Sequence, residues 1–124
     1  MSQVKILVID DDEGSTDQLK YLFEAGSAQI IAANSGEEGI ELVKEQNPDV
    51  IILDLMMPEK SGWEVCKTVR EFSQVPILIY SAADTPGAVV EALDVGADDY
   101  LTKPVSGSTL MAHLNRLLRR SRVL

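Results

Sequence analysis

The sequence contains little cysteine and few basic residues, and each scarcity excludes a class of protein. Cys66 is the single cysteine among 124 residues, so an internal disulfide framework and a multi-cysteine zinc site are both excluded. Lysine and arginine total 11 against 20 acidic residues, which gives a net charge of −9. Nucleic acids and anionic membranes are bound through clustered basic residues. We therefore expect no direct contact of this chain with nucleic acid or membrane.

Long apolar runs are also missing. No run approaches the ~18–20 residues of a membrane span. Met1 is not followed by the basic segment and apolar stretch of a signal peptide. Apolar residues make up 45% and charged residues 25%, which is ordinary globular composition. The length fits one domain, since domains commonly run ~100–150 residues. We expect a single soluble, cytoplasmic domain over residues 1–124.

Short apolar runs alternate along the chain with stretches of helical spacing. The runs are rich in Val, Ile and Leu with little polar alternation, as in strands covered on both faces: residues 4–9, 29–33, 50–53, 76–80 and, more weakly, 99–101. The intervening stretches repeat apolar residues with a period of 3.6: 17–24, 36–46, 61–72, 89–95 and 110–118. This pattern predicts five β-α units, and hence a five-stranded, doubly wound parallel α/β sheet with helices on both faces.

Polar caps and helix breakers flank the helical stretches. Ser35 with Glu38, and Ser61 with Glu64, have the spacing of capping boxes. The other boundary signals are an N-cap threonine before a proline, an N-cap serine and a glycine stop: Thr85–Pro86, Ser106 and Gly96. These signals support the predicted helices independently of the apolar period.

Polar side chains gather where the predicted strands end. Four consecutive acids at 10–13 follow the first strand, and Asp54 follows the third. Ser81 follows the fourth strand, and the pair Lys103–Pro104 follows the fifth. Ligands of open α/β sheets bind outside the carboxyl ends of the strands. These carboxylates, this hydroxyl and this ammonium are therefore expected to share one site.

The acids at the first strand end would alone be explained by the dipole of the helix that follows. Asp54 points to something more specific, because it follows a buried apolar strand. Neighbouring carboxylates raise each other's pKa. A hard divalent cation removes this cost, and Mg²⁺ prefers oxygen ligands. The pattern predicts a Mg²⁺ site built from Asp10 or Asp11 together with Asp54.

Lys103 adds a second constraint, because it ends a strand and precedes a proline. A cis Lys103–Pro104 bond would fix the turn that directs the ammonium towards the site. A cation beside a carboxylate–metal cluster would hold an anionic group added there. A phosphoryl group on Asp54 fits this role, with Ser81 donating to one of its oxygens.

Four motifs carry these strand ends in order. They are ILVIDDD at 6–12, IILDLMMPEKSG at 51–62, IYSAAD at 79–84 and GADDYLTKP at 96–104. Through them the chain resembles the receiver domain of two-component response regulators over essentially its whole length. The resemblance implies the flavodoxin-like strand order 2-1-3-4-5.

The resemblance also implies a role for each site residue. Asp54 matches the phosphoacceptor. Mg²⁺ or Mn²⁺ would be bound by Asp11 directly, by Asp10 mainly through water, by Asp54, and by the backbone carbonyl of Met56. The remaining matches are the switch hydroxyl, the phosphate-pairing lysine and the switch aromatic, which fall on Ser81, Lys103 and Tyr100.

The function implied is a phosphorylation-dependent switch, and not a conventional enzyme. A sensor histidine kinase or a histidine phosphotransfer protein would present the phosphohistidine, and small phosphodonors would also serve. Ser81 would then move towards the phosphoryl group, and Tyr100 would turn inward. The face formed by the fourth helix, fifth strand and fifth helix would change and control an output domain or effector. A phosphorylation-dependent homodimer is a further expected partner.

Three positions depart from the commonest family pattern. Ser81 stands where Thr is frequent, Ser61 where Asp is frequent, and Val105 where Phe is frequent, which predicts weaker packing beneath the last helix. Two further side chains bear on phosphoryl lifetime. Met56 and Ala83 lie two residues after Asp54 and Ser81 and cannot hydrogen-bond a hydrolytic water. This predicts slow self-dephosphorylation.

Two other functions compete with this one. A haloacid-dehalogenase-like phosphohydrolase also uses an Asp nucleophile after a parallel strand, but it usually has an acid where Met56 stands. A receiver-like module that is not phosphorylated would be expected to have lost Asp54, Asp11 or Lys103, and all three are present.

The last helical stretch carries polar residues outside the predicted site. His113 is interpreted as a surface or packing residue, and not as a phosphohistidine. The arginines of this stretch would complement the dipole of the helix, or pair with Asp98 or Asp99 across a dimer face: Arg116, Arg119, Arg120 and Arg122.

Overall fold

The computed structural model describes residues 3–24, 26 and 28–121 as alternating strands and helices. The strands are β1 (Lys5–Ile9), β2 (Gln29–Ala33), β3 (Val50–Leu53), β4 (Ile77–Ser81) and β5 (Asp99–Thr102). The helices are α1 (Glu13–Glu24), α2 (Gly36–Gln46), α3 (Gly62–Arg70), α4 (Pro86–Asp94) and α5 (Gly107–Ser121). The five predicted β-α units are confirmed.

The strands form one parallel sheet in the order β2-β1-β3-β4-β5, as predicted. In its register, Ile9 at the end of β1 lies opposite both Ala33 of β2 and Leu53 of β3. Because these strands end level with one another, the residues that follow them emerge side by side. We call this end of the sheet the carboxyl edge and the opposite end the amino edge.

Apolar clusters cover both faces of the sheet. On one face, strand residues such as Ile9, Ile51 and Ile79 pack with buried residues of α2, α3 and α4. On the other, Val8 and Ile52 and their neighbours pack with buried residues of α1 and α5. Burial on two sides explains why the strands lack polar alternation.

The predicted helix caps are present, with one difference. Ser61 and Glu64 form the complete capping box of α3, and Thr85 caps α4 before Pro86. At α2, the Ser35 hydroxyl accepts from Glu38 N at 3.1 Å. The Glu38 carboxylate accepts from the backbone of Asn34 at 2.9 Å, one residue earlier than a capping box requires. Only half of the predicted box therefore forms there.

Helix α1 begins four residues earlier than its apolar period predicts. Asp12 precedes the helix, and its carboxylate accepts from the backbone N–H of Gly14 at 2.9 Å. This contact satisfies a free N–H group of the first turn. The apolar period could not reveal this turn, because the turn has no apolar side chain and its one buried residue is the polar Thr16. Asp12 is thus explained as a helix cap.

Helix α5 is well docked although Val105 replaces an aromatic residue beneath it. Leu110, Leu114 and Leu117 are at most 2% exposed. The smaller Val105 lines an open groove of about 710 Å³ between α1 and α5. The smaller side chain at position 105 therefore leaves α5 docked on the sheet. Within the described residues, no helix is both long and apolar enough to cross a membrane.

Candidate functional site

The predicted acids meet at the carboxyl edge. The backbone N–H of Asp54 donates to Ile9 O at 3.0 Å, and that of Asp10 donates to Ala33 O at 3.0 Å. The sheet pattern thus continues one residue beyond β3 and β1, and it places the two acids on adjacent strands. One carboxylate oxygen from each of Asp10, Asp11 and Asp54 lies within 4.8 Å of the other two. The structure therefore assembles the acids predicted as metal ligands.

Burial distinguishes the three carboxylates. Asp10 and Asp54 are 4% and 7% exposed, whereas Asp11 lies open to solvent. Burial is the main cause that raises the pKa of Asp54, and the nearby charge of Asp10 adds to it. Ser81, Lys103 and the Met56 N–H oppose this rise in pKa without cancelling it. The ionised form of Asp54 is therefore costly in the protein alone.

This donor set fits a divalent cation. The three side chains offer only hard oxygen ligands, and Asp11 is open to solvent, as an ion that keeps several waters requires. Three carboxylates face one ammonium, so a divalent cation would balance the remaining charge. The residues fit Mg²⁺ or Mn²⁺ on this chemistry.

Lys103 reaches the site from the end of β5. Its Nζ lies 2.7 Å from Oδ2 of Asp10, and the bond between Lys103 and Pro104 is cis, as predicted. Burial lowers the pKa of Lys103. The hydrogen bond to Asp10 and the charges of Asp10 and Asp54 raise it by more, so the pKa is raised overall. The ammonium is held charged, and its partner in this structure is Asp10.

Ser81 is the last residue of β4 and is completely buried. Hydrogen bonding by its hydroxyl opposes the rise in the pKa of Asp54. The same oxygen accepts from the backbone N–H of Ala83 at 3.4 Å. Ser81 therefore links the predicted acceptor to the loop between β4 and α4.

Tyr100 contacts the same loop from the neighbouring strand. Its hydroxyl donates to the carbonyl of Ala83, and its ring packs against the apolar cluster that contains α2, α3 and α4. Burial raises the pKa of Tyr100, with smaller contributions from Asp84 and Asp54. The ring is half-buried in this structure, and its inward turn on phosphorylation stays a prediction.

The loop between β3 and α3 packs closely around Asp54. The Met56 N–H donates to Asp54 Oδ1 at 3.3 Å, while its side chain is 59% exposed and brings no acid to the site. The N–H of Gly62 donates to Leu55 O at 3.0 Å. A Cβ atom at Gly62 would lie 2.2 Å from the carbonyl oxygen of Asp54, closer than any real contact. Only glycine fits where α3 begins against the backbone of Asp54.

Asn34 is part of this edge and was not singled out from the sequence. Its side-chain amide donates to the backbone carbonyl of Asp10 at 2.9 Å. The contact joins residues 24 apart, and no local pattern signals it. Only the strand order, together with the position of Asn34 directly after β2, could have indicated it.

The acids and arginines outside the site pair within the chain. Asp99 Oδ2 lies 2.6 Å from both His113 Nδ1 and an Arg116 nitrogen. Asp98 lies 3.7 Å from Arg120. The sequence left open whether these arginines complement the helix dipole or pair with Asp98 or Asp99 across a dimer face. In this structure Arg116 and Arg120 join α5 to β5 or to the residue before it. Arg122 lies outside the described residues.

Comparisons with known proteins agree with this geometry. A model of the response regulator receiver domain matches residues 6–115. The chain is 40% identical over 115 residues to the transcriptional regulatory protein AfsQ1 of Streptomyces coelicolor, covering 93% of this chain and 51% of that protein. It is 41% identical over 120 residues to the alkaline phosphatase synthesis transcriptional regulatory protein PhoP of Bacillus subtilis, covering 96% and 50% respectively.

A solved structure shows the same fold. The crystal structure of a two-component response regulator from Clostridium difficile superposes with a TM-score of 0.93 at 32% identity, covering 98% of this chain and 100% of that one. The chain belongs to the response regulator receiver domain family of two-component systems. Receiver domains are signalling switches and are generally not classed as enzymes. The chain spans about half the length of the curated relatives that it matches.

Proposed function

We propose that residues 1–124 form a single receiver domain that is switched by phosphorylation of Asp54 in the presence of Mg²⁺ or Mn²⁺. One observation carries the proposal: a buried carboxylate lies at the carboxyl edge beside two further carboxylates, a serine hydroxyl and a charged lysine. Burying a carboxylate costs free energy unless it is paired, and buried acids with a perturbed pKa cluster at functional sites. Here those surroundings match what phosphoryl transfer to Asp54 requires.

In the proposed reaction, a carboxylate oxygen of Asp54 attacks the phosphorus of a phosphohistidine in line with the leaving imidazole. The new O–P bond forms as the P–N bond breaks, and the imidazole nitrogen keeps the electron pair and takes a proton. Asp10, Asp11, Asp54 and the backbone carbonyl of Met56 would hold the divalent cation. When bound, the cation supplies positive charge to the carboxylates and to the phosphoryl oxygens.

Lys103 would change partners in this reaction. Its Nζ now pairs with Asp10, and a phosphoryl group on Asp54 would offer it a more concentrated negative charge. Ser81 would donate to another phosphoryl oxygen, since it ends β4, the strand next to the one that leads to Asp54. Both side chains therefore need small movements only to stabilise the added group.

The switch would act through the loop between β4 and α4. Ser81 and Tyr100 both contact Ala83 in this loop. A phosphoryl group that draws Ser81 towards Asp54 would favour one packing of the loop over others, which is the differential affinity that a switch requires. Because Tyr100 is bonded to the same loop, phosphorylation would stabilise one position of its ring and, with it, one form of the face made by α4, β5 and α5.

The proposed partners follow from this cycle. A sensor histidine kinase or a histidine phosphotransfer protein would supply the phosphoryl group, in the cytoplasm. An output domain or effector protein, or a second copy of the chain in a phosphorylation-dependent homodimer, would recognise the altered face. The receiver itself would not contact nucleic acid or membrane, in keeping with its net charge of −9.

The test is phosphoryl uptake from a small donor. The protein is incubated with acetyl phosphate or phosphoramidate and Mg²⁺, and its intact mass is measured. We expect one added phosphoryl group, and none in Asp54→Asn or when EDTA replaces Mg²⁺. The matched control is Asp17→Asn, which removes an exposed carboxylate of α1 and should leave uptake unchanged. Folded wild-type protein that gains no phosphoryl group from either donor, or gains it at another residue, would contradict the proposal.

A further inference from the structure

Two of the acids that would bind the cation, Asp10 and Asp11, lie on a segment that needs support from outside. We call residues 10–12 the acid loop, which connects β1 to α1. Within the loop, the Asp12 N–H donates to the Asp10 carboxylate at 3.0 Å. Asp10 and Asp11 must nevertheless stay close to Asp54 while three like charges repel one another. Some contact must hold the backbone of the loop against this repulsion.

Asn34 makes such a contact. Its amide nitrogen donates to the backbone carbonyl of Asp10 at 2.9 Å. A longer contact of 3.5 Å reaches the hydroxyl of Thr16, which is 2% exposed and donates to Glu13 O at 2.9 Å. A carbonyl oxygen only accepts hydrogen bonds, so an amide N–H₂ group suits this position and a carboxylate does not.

The amide is itself fixed in place. Asn34 directly follows β2, and its backbone N–H donates to the Glu38 carboxylate at 2.9 Å. Glu38 lies in the first turn of α2, whose N-cap is Ser35. Asn34 is thus anchored on β2 and α2, and neither element carries a predicted metal ligand. It can act on the site only through the acid loop.

We propose that Asn34 is a positioning residue that holds the acid loop in the geometry required for Mg²⁺ binding at Asp10, Asp11 and Asp54. The inference rests on the proposed metal-dependent function and adds a determinant of metal affinity outside the ligand set. A loop held in place before binding loses less conformational freedom when the ion arrives. Partners that orient ligands typically change metal affinity about 10–100-fold. Asn34 acts through the backbone, so we expect the lower end.

The first test measures binding of Mg²⁺ alone by calorimetry. In Asn34→Ala, we expect the dissociation constant for Mg²⁺ to rise about tenfold. The matched control is Asn47→Ala at the other end of α2, where Asn47 caps the helix with φ 48°. This control strains the backbone and lowers stability without touching the acid loop. Its Mg²⁺ affinity should equal that of the wild type.

The second test separates positioning from direct chemistry. Phosphoryl uptake from acetyl phosphate is measured as a function of Mg²⁺ concentration. In Asn34→Ala, the Mg²⁺ concentration for half-maximal rate should rise about tenfold, while the rate at saturating Mg²⁺ stays within about twofold of wild type. If Asn34→Ala does not fold, Thr16→Val removes the neighbouring hydroxyl with little change of shape, and it should raise the same concentration by a smaller factor.

The outcomes distinguish the two proposals. If folded Asn34→Ala binds Mg²⁺ as tightly as wild type, or if it loses the rate even at saturating Mg²⁺, the role of Asn34 is overturned. An equal loss of Mg²⁺ affinity in Asn47→Ala would overturn it as well. A wild-type protein that neither binds Mg²⁺ nor accepts a phosphoryl group would instead defeat the proposed function itself.

Discussion

The two ends of the sheet hold opposite kinds of ion cluster. At the amino edge, Arg70 donates to Gly96 O, Ser73 O and the Asp98 carboxylate, and that carboxylate also accepts from Ile77 N. The charges of Arg70 and Asp98 cancel in this amino-edge cluster, Arg120 adds a longer contact to Asp98 at 3.7 Å, and these groups have hydrogen-bond partners. It joins α3, β4 and the chain entering β5, so its evident role is to hold the fold together.

At the carboxyl edge the charges do not cancel. Three carboxylates face one ammonium, so the carboxyl-edge cluster of Asp10, Asp11, Asp54 and Lys103 has a net charge of −2. Burial raises the pKa of Asp54, and the charge of Asp10 adds to the rise while that of Lys103 opposes it. The fold therefore contains two kinds of cluster. The amino-edge cluster, called the closed cluster below, has balanced charges and stabilises the fold. The carboxyl-edge cluster, called the open cluster, has unbalanced charges and lowers its stability. The unbalanced cluster is the one with capacity for a cation and a phosphoryl group.

Breaking the closed cluster should have the largest effect on stability. Asp98→Ala leaves the Arg70 guanidinium and the Ile77 N–H without their partner. Removing one member of a buried pair costs about 3–5 kcal/mol, and the partial exposure of this pair reduces the expected loss to about 2–3 kcal/mol. Urea unfolding measures this loss of unfolding free energy. Asp94→Ala, at an exposed acid of α4, is the control and should change little; an unfolding free energy for Asp98→Ala equal to this control would refute the comparison.

Neutralising the open cluster should have the opposite sign. Asp54→Asn removes a buried charge while keeping the shape of the side chain. In EDTA we expect the unfolding temperature to rise by roughly 3–6 °C, equivalent to about 1 kcal/mol. The rise should shrink when Mg²⁺ is added, because the ion stabilises only the wild type strongly. A lower unfolding temperature in EDTA would mean that Asp54 stabilises the fold.

The thiol of Cys66, which lies in α3 with Arg70 of the closed cluster, provides a test of burial on that side of the molecule. This thiol is fully buried and contacts the carbonyl of Val95, and burial raises its pKa to about 11 from 9.0. Between these values the unfolded chain releases a proton that the folded chain keeps, so stability falls as the pH rises through this window. Relative to Cys66→Ala, the wild type should lose about 1 kcal/mol of unfolding free energy between pH 8 and pH 10. A constant difference would show that the thiol is not shielded.

The smallest expected effect concerns water at the open cluster. Met56 is exposed beside Asp54 and cannot hydrogen-bond a hydrolytic water. In Met56→Asn, an amide could orient that water, and phospho-Asp54 should decay about threefold faster, a change below 1 kcal/mol in barrier. Decay is followed by intact mass after removal of the donor. Equal rates would exclude this side chain as a determinant of phosphoryl lifetime.

The sheet could be predicted because the sequence signals for it are local and redundant. Apolar runs, caps such as Thr85 with Pro86, and strand-end residues such as Asp54 all point to the same fold. Element ends were less accurate where polar residues continue an element, as at Glu13 in α1 and Thr102 in β5. An apolar period cannot detect residues that stay in a helix or strand without facing the core.

Contacts between distant residues were harder to predict. The pairing of Lys103 with Asp10 and that of Arg116 with Asp99 depend on which side chain is nearest once the strands are ordered. The role of Asn34 could not be predicted, because a lone asparagine after a strand is common and its partner is a backbone group. The motifs identify which groups lie at the site, but which of these groups are hydrogen-bonded to one another is known only once the fold places them.

Gly62 sets a limit on how this site can vary. Any other residue there would force the start of α3 away from the backbone of Asp54. Strand β3, which leads to the proposed acceptor, and the start of α3 thus pack without space for a side chain at position 62. Under the proposed function, variation in signalling specificity would arise at exposed positions such as Met56, where a change of side chain leaves Asp54 in place.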